Sequence, residues 1–198
     1  MPATIPRLPA LDQVRAERHA FVDTVASLPE ADFESGTTLC EGWAPRDVLA
    51  HLIGTARITD YLRAPWRLHQ INERFVADAR PKSRDEMIAA GRSWAGLAGR
   101  ADRTISPFLL GDVAVHHQDV LRGAGLTRVL PRHIESAVFH EGVVLSLQRR
   151  RPTLLRYRVE PSNGIGAPLG RGPRVLGPAE ALGMWLAGRD VPDVTVEA

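Results

Sequence analysis

Apolar residues recur at three- and four-residue intervals along much of the chain, the period of one helix face. In LDQVRAERHAFVDTVASL, residues 11–28, this places Leu11, Val14, Phe21, Val22, Val25 and Leu28 on one side together with Arg18, and Pro29 follows the end. A second helix is predicted from Pro45 through RDVLAHLIGTARITDYLRA, since proline suits the first helical position and Asp47 favours the first turn. Pro65 limits it. A third is predicted over SRDEMIAAGRSWAGLAG, with Ser83 as cap, Asp85 and Glu86 in the first turn and Gly99 beyond the end. A fourth, of about fifteen residues, follows Pro107 and stops near Gly123 and Gly125. A fifth, PRHIESAVFHEGVVLSLQRRR, opens at Pro131, carries Gly142 at some cost in propensity, and closes before Pro152.

The period changes after Pro152. LLRYRVEP alternates as a strand does, SNGIGAPLGRGP is rich in turn residues, and RVLG can pair back as a hairpin before a last helix, PAEALGMWLAGR. The predicted fold class is therefore mainly α. An up-down helical bundle over residues 1–151 carries a small α+β segment, 152–198, made of a β-hairpin and a helix and packed on the bundle.

Composition narrows the setting. The 198 residues are 44% hydrophobic and 24% charged, an ordinary soluble balance, and one cysteine, Cys40, cannot form an internal disulfide. The opening MPATIPRLPALDQ lacks a signal-peptide pattern and no run of about eighteen apolar residues occurs, so a cytoplasmic protein without a membrane partner is expected. The net charge is +2, and the densest basic run, Arg149 to Arg151, falls at a helix end where it complements the dipole. No nucleic-acid partner is expected. The glycines of GIGAPLG have the wrong spacing for a nucleotide loop, and HEGVV at 140–144 lacks the second histidine of H-E-x-x-H.

VAVHHQDVLRGAG, residues 113–125, places two adjacent histidines inside the fourth helix. Asp112 and His116 are four residues apart and share a face, so they can share an ion, whereas His117 points about 100° away among Val113 and Val120. On the second helix His51 sits among Val48, Leu49, Leu52 and Ile53. Two imidazoles and a carboxylate on facing helices would leave a divalent ion with open positions, as in catalytic sites; separate core histidines are the other reading of the same spacing. Asp47 and Asp119 can each accept a spare imidazole N–H or pair with Arg46 or Arg122 at the surface. Cys40, with no cationic neighbour in sequence, reads as structural.

The string LCEGWAPRDVLAHL, residues 39–52, resembles the signature of mycothiol-dependent maleylpyruvate isomerase-like proteins, close to C-x-G-W-x-x-R-D-V-x-x-H. DVAVHHQDVLRGAG and GPAEALGMWLAGR resemble two later blocks of that family, so the similarity touches most of the chain. It implies a DinB-like four-helix bundle whose divalent metal is held by His51, Asp112 and His116. Asp112 is shorter by one methylene than the family's glutamate, and Ala44 stands where relatives carry a capping threonine. Zinc is the first expectation for the ion; nickel, iron and manganese accept the same donors.

The resemblance further implies mycothiol, or a similar low-molecular-weight thiol, as cofactor. The expected function is a metal-dependent thiol transferase or isomerase acting on a small electrophile; the alternative is a metal-binding bundle without turnover, serving ligand binding or a stress response. Trp43 is the candidate cofactor-binding residue, with a buttress for the second helix as its other reading. Arg189 is the candidate catalytic residue, near the pocket mouth for an anionic group, with helix-end carbonyl binding as its other reading. A homodimer is compatible with all of this.

Overall fold

The computed structural model describes residues 11–97, 100–148 and 153–197. Its helices are α1 (Leu11–Ser27), α2 (Glu30–Ser35), α3 (Pro45–Thr55), α4 (Ile58–Arg63), α5 (Leu68–Ala79), α6 (Arg84–Ala95), α7 (Arg100–Gly123), α8 (Arg132–Gln148), α9 (Thr153–Arg156) and α10 (Ala179–Leu186). A 3₁₀ turn, Pro65–Arg67, joins α4 to α5. The strands are β1 (Arg158–Pro161), β2 (Leu169–Gly170), β3 (Arg174–Gly177) and β4 (Thr195–Val196). The fold is mainly α with a small C-terminal sheet and helix, the class predicted. Among the described residues no helix is long and apolar enough to cross a membrane.

The described chain forms two compact units. One holds the helices from α1 through α6, the start of α7 up to Ile105, and residues His116–Thr127; the other holds Ser106–Val115 and the chain from Arg128 onward. The division crosses α7 twice, before Ser106 and after Val115.

In the first unit α1 packs on α3 and α6, and α3 on α5 and α6. Val14, Phe21, Val22, Val25, Val48, Leu49 and Leu52 of α1 and α3 are fully buried, the residues chosen by helical period. Arg18 shares that face, its guanidinium 4.8 Å from the ring centre of buried Trp94. α6 starts as predicted: Ser83 Oγ accepts the Glu86 N–H (3.3 Å) while Glu86 Oε2 accepts the Ser83 N–H (2.7 Å).

Three boundaries differ from the sequence reading. The second predicted helix breaks after Thr55, whose Oγ1 donates to the Leu52 carbonyl at 2.7 Å and so competes with the helical ladder. Helix α7 starts at Arg100 and runs 24 residues, carrying Pro107 inside it instead of beginning there. The RADRTIS stretch before the proline contains no breaker, so the proline deletes one backbone donor without ending the helix. Helix α5 was not predicted; it begins without a side-chain cap and buries only Ile71, Phe75, Val76 and Ala79. Arg149–Arg151, Pro152 and Gly99 lie outside the described residues.

In the second unit α10 lies along α8 at backbone contact, and Phe139, Val159, Val175, Leu182 and Leu186 form its core with the sheet. The sheet order is β2-β1-β3-β4. A hairpin is present, but it joins β1 to β2, whereas RVLG (β3) runs parallel to β1, with Val159 opposite Val175. The strand segment is also shorter than LLRYRVEP, because Thr153–Arg156 forms a helical turn.

Candidate metal centre

The 39–52 string makes a tight turn followed by the first turns of α3. Gly42 takes φ +77°, a backbone setting that glycine tolerates freely. Thr38 Oγ1 donates toward the Trp43 carbonyl at 2.7 Å and accepts the Cys40 N–H at 3.1 Å, so one hydroxyl ties both sides of the turn. Ala44 has no side chain to cap with, and Asp47 Oδ2 instead accepts the Ala44 N–H at 3.1 Å. That contact gives Asp47 a backbone role in place of the imidazole or surface partners read from sequence. The Arg46 guanidinium pairs with Glu34 and donates to the Lys82 carbonyl at 2.9 Å, tying the start of α3 to α2 and to the turn before α6.

This wiring fixes the orientation of α3, which carries His51, 5% exposed, one turn after Asp47. The His51 and His116 rings meet edge to face with centroids 4.8 Å apart, and the Trp43 ring lies 5.2 Å from His51 and 6.4 Å from His116. Asp112 stands one turn before His116 on α7. Ligand atoms of His51, Asp112 and His116 all lie within 4.8 Å of one another. Bonds of about 2.1 Å in a tetrahedral site hold ligand atoms about 3.4 Å apart, so the three side chains would have to draw closer to close on an ion. The donor set, two imidazoles and one carboxylate, fits a divalent ion.

His117 faces the other way. Its Nδ1 lies 2.8 Å from Glu17 Oε1 and its Nε2 2.8 Å from Thr24 Oγ1, both on α1, and it is 1% exposed. Both ring nitrogens are engaged by protein, so His117 is a packed residue of the helix interface, as its direction on the helix implied.

Sequence reasoning missed the surroundings of Cys40. Its Sγ donates to Asp119 Oδ2 at 2.9 Å and lies 3.3 Å from His116 Nδ1, and Asp119 Oδ2 is 3.0 Å from that same nitrogen. Cys40 therefore has a potential cation beside it after all. The contact joins residues 79 positions apart, and the period of neither segment encodes it.

Arg189 lies in the second unit, just past α10. Its Nη1 donates to the Ala187 carbonyl at 2.9 Å and its N–H to the Met184 carbonyl at 3.0 Å, which is the helix-end arrangement.

No curated protein matches the sequence. A crystal structure of a histidine-to-alanine mutant of mycothiol-dependent maleylpyruvate isomerase shares the fold with a TM-score of 0.66. The identity is 14%, over 94% of this chain and 90% of that one. The family model of the mycothiol maleylpyruvate isomerase N-terminal domain matches residues 14–107, a span that includes the turn at Cys40, Trp43 and His51 and ends before Asp112. Residues 14–107 thus match the mycothiol maleylpyruvate isomerase N-terminal domain, and the chain shares that isomerase's fold.

Proposed function

We propose that the chain is a metal-dependent enzyme that uses a low-molecular-weight thiol, mycothiol or a close relative, to transfer to or isomerise a small electrophile. The convergence of His51, Asp112 and His116 ligand atoms within 4.8 Å carries the reading. The three side chains would hold a divalent ion and leave coordination positions open, with zinc the first candidate. When bound, such an ion lowers the pKa of a coordinated thiol, supplying a thiolate near neutral pH.

The chain's own residues do the rest by position. His51 and Asp112 come from separate helices, so the donor set depends on how α3 is seated, which is the task of Arg46, Asp47 and the Gly42 turn. The Trp43 ring covers one side of both imidazoles and offers an apolar wall for a ligand, consistent with a cofactor-contacting residue. Arg189 is the proposed recognition element for an anionic group, by analogy with the family's C-terminal block; an Arg189→Ala variant then raises KM for a carboxylate substrate while metal content stays unchanged.

The test is turnover. Metal-loaded protein is offered maleylpyruvate and simple Michael acceptors with and without mycothiol. The reading expects product only when thiol and metal are both present, and loss of product in His51→Ala. Metal binding without thiol-dependent turnover would replace it with the second function, a metal-binding bundle that holds a ligand and does not turn it over.

A further inference from the structure

Asp119 is fully buried; its Oδ2 accepts the Cys40 thiol at 2.9 Å and lies 3.0 Å from His116 Nδ1. Its backbone carbonyl accepts the Leu39 N–H at 3.1 Å, so both ends of the same residue grip the 38–43 turn. A Cβ on Gly123, one turn further along α7, would stand 2.3 Å from the Thr37 carbonyl oxygen, which shows how closely that turn is drawn against the helix.

Cys40, His116 and Asp119 could be read as a second ligand set, since their donor atoms also cluster. Their separations of 2.9 to 3.3 Å are hydrogen-bond distances. Bonds of about 2.0 Å to nitrogen or oxygen and about 2.3 Å to sulfur would spread these ligands to roughly 3.3–3.5 Å, so the contacts as they stand are hydrogen bonds. An ionised carboxylate can only accept. With Asp119 ionised, the proton between it and His116 would sit on Nδ1, leaving the lone pair on Nε2.

We propose that Asp119 and Cys40 are positioning residues for the metal centre: Asp119 holds His116 as the Nδ1–H tautomer, and the Cys40 thiol holds the Asp119 carboxylate in place. This inference rests on the metal reading of His51, Asp112 and His116. Removal of an outer partner of this kind weakens metal binding by about 10- to 100-fold. Cys40 acts one bond further out, so its effect is smaller. The serine replacement keeps a donor on the same stem and the alanine replacement does not.

The experiment combines two readouts on the full chain. Histidine ¹⁵N shifts of metal-free protein report the His116 tautomer, and competition with a chelator reports zinc affinity. The proposal expects Nδ1–H in the wild type; in Asp119→Asn, mixed or reversed tautomers and zinc binding at least 10-fold weaker; in Cys40→Ala, binding about 3- to 10-fold weaker; and in Cys40→Ser, wild-type behaviour within about threefold. Asp119→Asn keeps the volume of the buried side chain, and the two Cys40 variants test the idea independently should it fold poorly. An unchanged tautomer and affinity in Asp119→Asn would overturn the role of Asp119; equal affinities for Cys40→Ala and wild type would overturn that of Cys40. If wild-type protein binds no zinc, the metal reading itself fails, while the tautomer of metal-free protein still decides whether Asp119 orients His116.

Discussion

Replacing His117 by alanine should cost stability and spare the metal, although the residue adjoins a proposed ligand. The imidazole is 1% exposed and its two nitrogens each meet a partner on α1 at 2.8 Å. Losing two such hydrogen bonds costs about 1 kcal/mol each net, and withdrawing the imidazole from the Glu17 carboxylate, 4% exposed, adds about 1–3 kcal/mol. The sum is about 3–5 kcal/mol, a large part of the stability of an ordinary domain. With a urea dependence of about 2–3 kcal/mol per molar, the unfolding midpoint falls by about 1–2.5 M. His117→Gln, which keeps one polar partner, should fall less and serves where alanine leaves too little folded protein. His116→Ala reverses the pattern, because its ring is 12% exposed and it is a proposed ligand: a smaller midpoint shift with metal uptake abolished. A His117→Ala protein that unfolds within about 0.3 M of wild type, or that loses metal as fully as His116→Ala, refutes the assignment.

Other outcomes follow from particular contacts. Gly142→Ala, which helix propensity alone would favour by about 1 kcal/mol, should destabilise, since the new Cβ would stand 2.1 Å from the Gly183 carbonyl oxygen on α10. Overpacking of this kind costs about 1–3 kcal/mol, a fall in melting temperature of about 3–10 °C for a chain of this size, read by a thermal melt. Ser83→Ala should cost about 1 kcal/mol through the lost cap of α6, measured by urea unfolding. Glu86, held below its ordinary 4.5 by the Ser83 backbone N–H and then by the Ser83 hydroxyl, contributes stability that is present above that value. The contribution disappears as pH falls through the lower folded value, so the gap between wild type and Glu86→Gln should close on acidification.

The sequence marked the proposed donor residues better than the contacts around them. Spacing left a shared ion and separate core histidines both open for His51, Asp112 and His116; the family resemblance singled out the set, whose ligand atoms lie within 4.8 Å of one another, and the capping box at Ser83 and Glu86 is a local code. Helix α5 was not predicted although Leu68, Ile71, Phe75, Val76 and Ala79 recur at helical spacing, and no side-chain cap marks its start. The parallel pairing of β1 with β3 depends on which edges meet, and hydrophobic alternation is the same for either direction. Cys40 was read as inert because its neighbours in sequence carry no charge, whereas its neighbours in space come from α7. Arg46 likewise gave no sign that it would reach the Lys82 carbonyl, 36 residues away.

The central claim, that His51, Asp112 and His116 hold one divalent ion, is tested most directly by counting metal. Protein purified without an affinity tag, stripped with chelator and titrated with zinc, should take up one equivalent by elemental analysis, while His51→Ala and His116→Ala, verified as folded, take up none. A folded wild type that retains no stoichiometric ion, or an equivalent retained undiminished in both variants, would contradict the account.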